Sequence, residues 1–247
     1  MQLPGTPSDE IDDVLATGHG DIGTLFVSMA TRHPDGRDAE YLQWHTLDHR
    51  PEQHRLSAVR ASLRLVSTPA CRAARAASPE PYDAIDHVMT YFFTDPGGMQ
   101  GFLDLAKALI GGKRKLPLLP PVERGIYEVQ RKAAAPRVKI GADVLPWWPV
   151  KGIYLLLERG DAAADALLAV DGVAGVWSAP AMDVDARLAS AKAGQTATYC
   201  FLDDDPVATA ERLRPVLTQR WEQAGVEPLL AAPFYPVVPH EWDRYVP

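Results

Sequence analysis

One order of elements occurs twice along this chain, and that repetition limits the folds open to it. In residues 23–132, strands are expected at "GTLFVSMAT" (23–31), "SAVRASLRLVS" (57–67), "DAIDHVMTYFFTD" (83–95) and "VERGIYEVQRK" (122–132). Each is an apolar, alternating or β-branched run bounded by turn residues. A helix is expected over about 38–48, stopped by Pro51, and another from Gly98 to Ile110, closed by Gly111 and Gly112. The order is β-α-β-β-α-β. Residues 151–247 repeat it, with strands at 151–160, 173–182, 195–205 and 227–238. The helices there start at Asp161 as an N-cap and at Pro206, a residue suited to a first turn. The second runs to 224 with Gly225 at its end, and Pro215 inside it is expected to kink it.

Two βαββαβ units in series are two ferredoxin-like folds, repeated in element order and not in residue identity. The Pro- and Ala-rich segment 133–150 is expected to join the halves 23–132 and 151–247. Residues 1–22, acidic and broken by Pro and Gly, are expected to form a mobile arm with one short helix around Glu10–Ala16. A lone ferredoxin-like sheet has helices on one face and leaves the other bare. Two such sheets cover each other by packing face to face. The expected fold is therefore α+β: two tandem ferredoxin-like repeats packed sheet to sheet as an α+β barrel. It would be a monomer with an intrachain barrel, or a homodimer if each sheet pairs with a second chain. The space between the sheets is the expected ligand site.

Charge narrows the function classes. A net charge of −7 argues against binding a phosphate backbone, and the basic loop "GGKRK" (111–115) is too short to reverse that. The N-terminus lacks the basic start and apolar run of a secretion signal, and no apolar stretch reaches membrane-span length. Cys71 and Cys200 stand in no metal-binding spacing, so a reducing cytoplasm is expected.

The chemistry concentrates in "WHTLDHRPEQHR" (44–55), which holds three of the chain's seven histidines. On a helix, Tyr41, His45, Asp48 and Glu52 fall on one side, and His49 borders it. An imidazole beside a carboxylate suits proton transfer near neutral pH, which makes His49 the candidate acid–base and Asp48 its orienting partner. The competing reading is a solvated helix end, its acids paired with Arg50 and Arg55 for little energy. His45 and His49 could supply two zinc ligands, but no third follows from spacing, so no metal is expected. On the third strand, alternation puts His87, Met89, Tyr91 and Phe93 on one face and Asp86, Val88, Thr90 and Phe92 on the other. If the first set faces the barrel interior, it lines a cavity suited to an apolar or aromatic ligand; otherwise it is core filling. Arg124 and Glu128 are either inward polar groups or, as expected, a sheet-surface ion pair; Trp147 and Trp148 either close over a pocket or, as expected, pin the joining segment to the barrel.

The runs "YLQWHTLDHRPEQHRL", "SAVRASLRLVS" and "YDAIDHVMTYFFTDP" resemble the dimeric α+β barrel superfamily, and within it most nearly the EthD-like group. Trp44, Asp48, His49, Pro51, Glu52, Arg60, Arg64, Tyr91 and Asp95-Pro96 stand at the positions that carry the likeness. It covers roughly residues 23–132; the second half has no "WHxxDHRPE" equivalent and shares only the element order. The resemblance implies one site per chain. The activity it implies is one of the superfamily's several: cofactor-free oxygenation, decarboxylation, isomerisation of lactone-type substrates, or haem chemistry. The expected function is a cofactor-independent enzyme on a small apolar or aromatic metabolite. It would use His49 and Asp48 for catalysis and His87, Tyr91, Met89, Tyr41 and His45 to hold substrate, with no cofactor. The alternative is a non-catalytic binding or assembly protein with a filled barrel core.

Overall fold

A computed structural model describes residues 15, 17–114, 118–160, 163–185 and 188–245. The helix expected at Glu10–Ala16, apart from Leu15, and the N-cap expected at Asp161 lie outside them. The first half contains β1 (Thr24–Ala30), α1 (Asp38–Trp44), a π-helical turn (His45–His49), α2 (Arg50–Gln53), β2 (Val59–Val66), α3 (Pro69–Ala73), β3 (His87–Phe93), α4 (Gly98–Gly111) and β4 (Pro121–Glu128). There follow β5 (Arg131–Ala134), β6 (Gly152–Arg159), α5 (Asp165–Leu168), β7 (Val173–Pro180), β8 (Gln195–Leu202), α6 (Pro206–Ala224) and β9 (Glu227–Pro236).

Among the described residues, nine strands join in one antiparallel sheet in the order β4-β1-β3-β2-β9-β6-β8-β7-β5. The first four are the ferredoxin-like order of the first half, and β9-β6-β8-β7 is the same order in the second. The halves are sewn together at both edges. The end of β9 leaves β6 and pairs Tyr235 and Pro236 with Val66 and Leu65 of β2. At the other edge, Tyr127 of β4 bridges Ala181, and β5 continues along β7 from Arg131 opposite Ser178 to Ala134 opposite Gly175. Each fourth strand thus crosses to the other half, so the barrel closes within one chain. The single strand expected over 122–132 is two strands, β4 and β5. β5 starts at Arg131 and runs on to Ala134, into the segment expected to join the halves.

The barrel interior is filled. Leu25, Val27, Met29, Val88 and Phe92 from one sheet pack against Leu155, Leu157, Trp177, Tyr199 and Phe201 from the other. Phe92 meets Trp177 edge to face at 5.8 Å, and the Thr90 and Tyr199 hydroxyls are 2.6 Å apart. Gly125 makes room for this packing: a Cβ there would stand 2.1 Å from the Tyr127 ring. The buried Glu123 accepts hydrogen bonds from Tyr82, Tyr127 and Gln195, which satisfies its carboxylate with donors from both halves. The ligand space expected between the sheets is therefore occupied by side chains, as in most small barrels. Trp148 packs against this core, whereas Trp147 is exposed.

Candidate functional site between the first sheet and its helices

Strand pairing decides which side chains share a face. Arg124, Ser28, Met89 and Arg64 lie directly opposite one another across β4, β1, β3 and β2. The next row on that face is Ile126, Phe26, Tyr91 and Ser62. Val27, Thr90 and Leu63 alternate with them and point into the barrel. His87, Met89, Tyr91 and Phe93 thus face the helices and not the interior, which corrects the condition set on them above. Every residue of β3 is buried, so hydropathy could not separate its two faces.

Over this face α1, the π turn and α4 enclose a cavity of about 150 Å³. Tyr41, His45, His49, Arg64, Met89 and Tyr91 supply its chemistry, and Phe26, Phe102, Leu103, Leu118 and Leu119 supply apolar wall. The π turn explains why both histidines reach it. Residues four apart on an α-helix drift by about 40° per step. The wider i→i+5 turn over His45–His49 rotates less per residue and takes that drift back. Tyr41, His45, His49 and Gln53 therefore stay in line, all buried. Trp44 stacks on His49 at 5.1 Å, and His45 lies 5.4 Å from His49 and 6.0 Å from Tyr41. The Gln53 amide is 3.5 Å from His49 Nε2.

The same geometry turns Asp48 and Glu52 outward. Arg114 donates to Asp48 Oδ2 at 3.1 Å and to Glu52 Oε1 at 3.0 Å, and Trp44 Nε1 donates to the Arg114 carbonyl. Asp48, expected to orient His49, is not among the cavity's lining residues. A uniform 100° helix grouped it with Tyr41 and His45; the π turn breaks that grouping. His54 bonds Ser62 at 2.7 Å, away from the cavity. Arg124 stands at the cavity rim, and no ion pair joins it to Glu128 among the described residues.

His87 lies behind the cavity wall. Its Nε2 is 2.7 Å from Asp38 Oδ1, and its Nδ1 is 3.2 Å from Arg64 Nη2. Arginine can only donate, so Nδ1 must accept and the ring proton must sit on Nε2, facing Asp38. Burial favours the neutral ring and holds the His87 pKa below its ordinary value, although the Asp38 hydrogen bond opposes this. Asp38 is pushed up by burial, but hydrogen bonds from His87 and the His33 backbone N–H outweigh that and leave it below the usual carboxylate range. His45 is depressed much further, first by burial and then by the Arg64 charge. Burial and the nearby Tyr41 raise the Tyr91 phenol and keep it protonated, against the opposing Arg64 charge.

These shifts give a signed expectation. His45 and His87 are neutral when folded but ionise near pH 6.5 when unfolded, so the unfolded chain gains protons first on acidification. Stability should be full above that pH and fall below it by up to ~1.4 kcal/mol per pH unit for each ring. Asp38 adds to the loss only below its unfolded value of 3.8. Thermal melts from pH 7.5 to 5.5 should show a falling Tm; a constant Tm would show that the two rings are not held neutral.

Sequence reasoning missed Arg64 as a site residue and Asp38 altogether. The available signal for Arg64 was a charged residue in mid-strand, in register with the strand that carries His87 and Met89. Among the described residues, the second half packs its long helix differently. There α6 lies directly on the sheet, with Leu213 and Leu217 packed against Tyr154, Leu156 and Cys200. Among the described residues no group of three or more His, Cys, Asp or Glu side chains could hold a metal ion. Nor is any described helix long and apolar enough to cross a membrane. Haem fits poorly: a 150 Å³ cavity is the size that admits one benzene ring, so a macrocycle would require α1 and α4 to part.

No protein-family model matches the chain, and no curated protein matches its sequence. Its fold is similar to solved structures. One is a protein provisionally assigned as a chlorite dismutase, with a TM-score of 0.52, 11% identity, and 88% of this chain and 96% of that one covered. Another is the chlorite dismutase of Candidatus Nitrospira defluvii in complex with imidazole, with a TM-score of 0.49, 10% identity and coverages of 97% and 98%. A third is an anthrone oxidase-like protein, with a TM-score of 0.48, 10% identity and coverages of 90% and 93%. The chain has the α+β barrel fold of the chlorite dismutase-like proteins, and at such identities the likeness extends to the fold alone.

Proposed function

We propose that this protein is a cofactor-independent enzyme that moves a proton on a small, largely aromatic metabolite held between the first sheet and its helices. His49 is the acid–base group, with His45 beside it, and Tyr41, Met89 and Tyr91 position the substrate. The observation that carries this is the pairing of two imidazoles, 5.4 Å apart, on the wall of a mostly apolar cavity. Isomerisation and cofactor-free oxygenation begin by taking a proton from a carbon acid, and decarboxylation ends by giving one to the carbanion left as CO2 departs, so one acid–base group serves all three. The family reading that goes with it is EthD-like for the first half, on "WHTLDHRPE", with 151–247 a second repeat fused through 133–150 and no site of its own. Two buried free thiols, Cys71 and Cys200, fit a cytoplasmic setting.

The second reading, a binding or assembly protein, draws on the filled barrel core. The two separate in one assay. Compact aromatic carbon acids in D2O should lose their acidic C–H signals faster with the protein than without it. Binding with no acceleration of exchange across such a panel would support the second reading instead.

A further inference from the structure

The cavity's electrostatics carry more than a proton-transfer role. We infer that it is an anion site, built to hold the carboxylate of a compact, single-ring acid against Arg64; this rests on the reading of the cavity as a ligand site and specifies its substrate class.

Arg64 is 5% exposed, yet among the described residues no ion pair joins it to a carboxylate. Asp38 is the nearest fixed negative charge in its network, and His87 stands between them. Both Asp38 contacts, the His87 ring and the His33 backbone N–H, fall on Oδ1, away from the cavity. The guanidinium donates Nη2 to His87 and lies over the Tyr41 ring at 5.2 Å. Its Nε has no acceptor, although the atom is fully buried. Two more polar atoms of cavity-lining residues are buried without a partner: the Tyr91 hydroxyl and His45 Nδ1. Leaving three such atoms without partners is costly in an apolar surrounding, so a site that gathers them implies a ligand that satisfies them. Among the described residues no Asp or Glu lines the cavity, whereas Arg64 and Arg124 both do. A positive wall without a counter-charge selects an anion.

The fixed tautomer of His87 sharpens the choice. Its lone pair holds Arg64 Nη2 in place and leaves the Arg64 Nε–H without a partner. A carboxylate takes guanidinium donors in parallel, and the Tyr91 hydroxyl can add a third bond. The remaining wall, from Phe26, Phe102 and Leu103, matches the flat apolar body of one aromatic ring. The volume of about 150 Å³ has room for that ring and little more.

The test uses benzoate and its neutral isostere benzamide on the full chain at pH 7.5, followed by calorimetry. Benzoate should bind at least tenfold more tightly, and Arg64→Gln should abolish the preference. In the wild-type protein, the Arg64 Nε–H resonance should move downfield and exchange slowly with benzoate and not with benzamide; this readout stands even if the variant fails to fold. Equal affinities, no binding of either compound, or a benzoate preference that survives Arg64→Gln would overturn the inference. Benzoate binding without any carbon-acid exchange would reject the catalytic reading alone. Exchange that persists without a benzoate preference would reject the anion site alone.

Discussion

Replacing His49 by alanine should slow the protein-catalysed C–H exchange by about 10²–10⁴-fold, the usual contribution of a positioned general acid or base. The ring lies on the cavity wall, stacked on Trp44 and 5.4 Å from His45. Removing it enlarges an existing cavity and leaves the barrel core untouched, so the fold should survive and the loss should fall on rate. His45→Ala should cost less. That ring is held so strongly neutral by burial and Arg64 that it is a poor base on its own. Asp48→Asn should change the rate little, because Asp48 is tied to Arg114 at the surface. Kinetics of the three variants on one carbon acid, with Tm measured alongside, check this order. Full activity in His49→Ala would remove it from the mechanism.

Trp177→Ala should have the largest effect on stability, costing about 3–5 kcal/mol as other buried large-to-small changes do. At 0% exposure the indole spans the barrel, touching Phe92 from the first half and Phe201 from its own. Its Nε1 donates to the Ala142 carbonyl at 2.9 Å, and Lys132 lies over the ring at 4.7 Å. Truncation leaves a void between the sheets and an unpaired carbonyl in the segment that follows β5. Because the rest of the shared core still joins the halves, they should unfold in one step, with Tm lower by roughly 6–20 °C at 2–4 °C per kcal/mol. Urea unfolding followed by far-UV circular dichroism measures this. A loss under 1 kcal/mol would mean that the interior is not the stabilising core.

The fold was legible because its signal is long-range order: eight strand patterns and their sequence fix two ferredoxin-like halves, and bare sheet faces force them together. What could not be read was which face of β3 looks inward. His87–Phe93 is buried throughout, so its alternation carries no polar–apolar contrast. The site residues were partly legible for a related reason. Tyr41, His45, His49, Met89 and Tyr91 do meet in one cavity, but on the helix side of the sheet. The π turn has no compositional signature in "HTLDH", so a uniform helix placed Asp48 beside His45 and missed the rotation that sends it to Arg114. Arg64 escaped because a strand arginine usually faces solvent; only the register with Met89 shows that it is walled in. Asp38 escaped because its partner, His87, is 49 residues away.

Two methionines mark the two sides of the same sheet. Met89 lines the cavity and Met29 is sealed in the barrel interior. With methyl-labelled methionine, titration of benzoate should shift the Met89 methyl resonance and leave that of Met29 in place. A shift at Met29 with Met89 unmoved would put the ligand between the sheets and contradict the site described above.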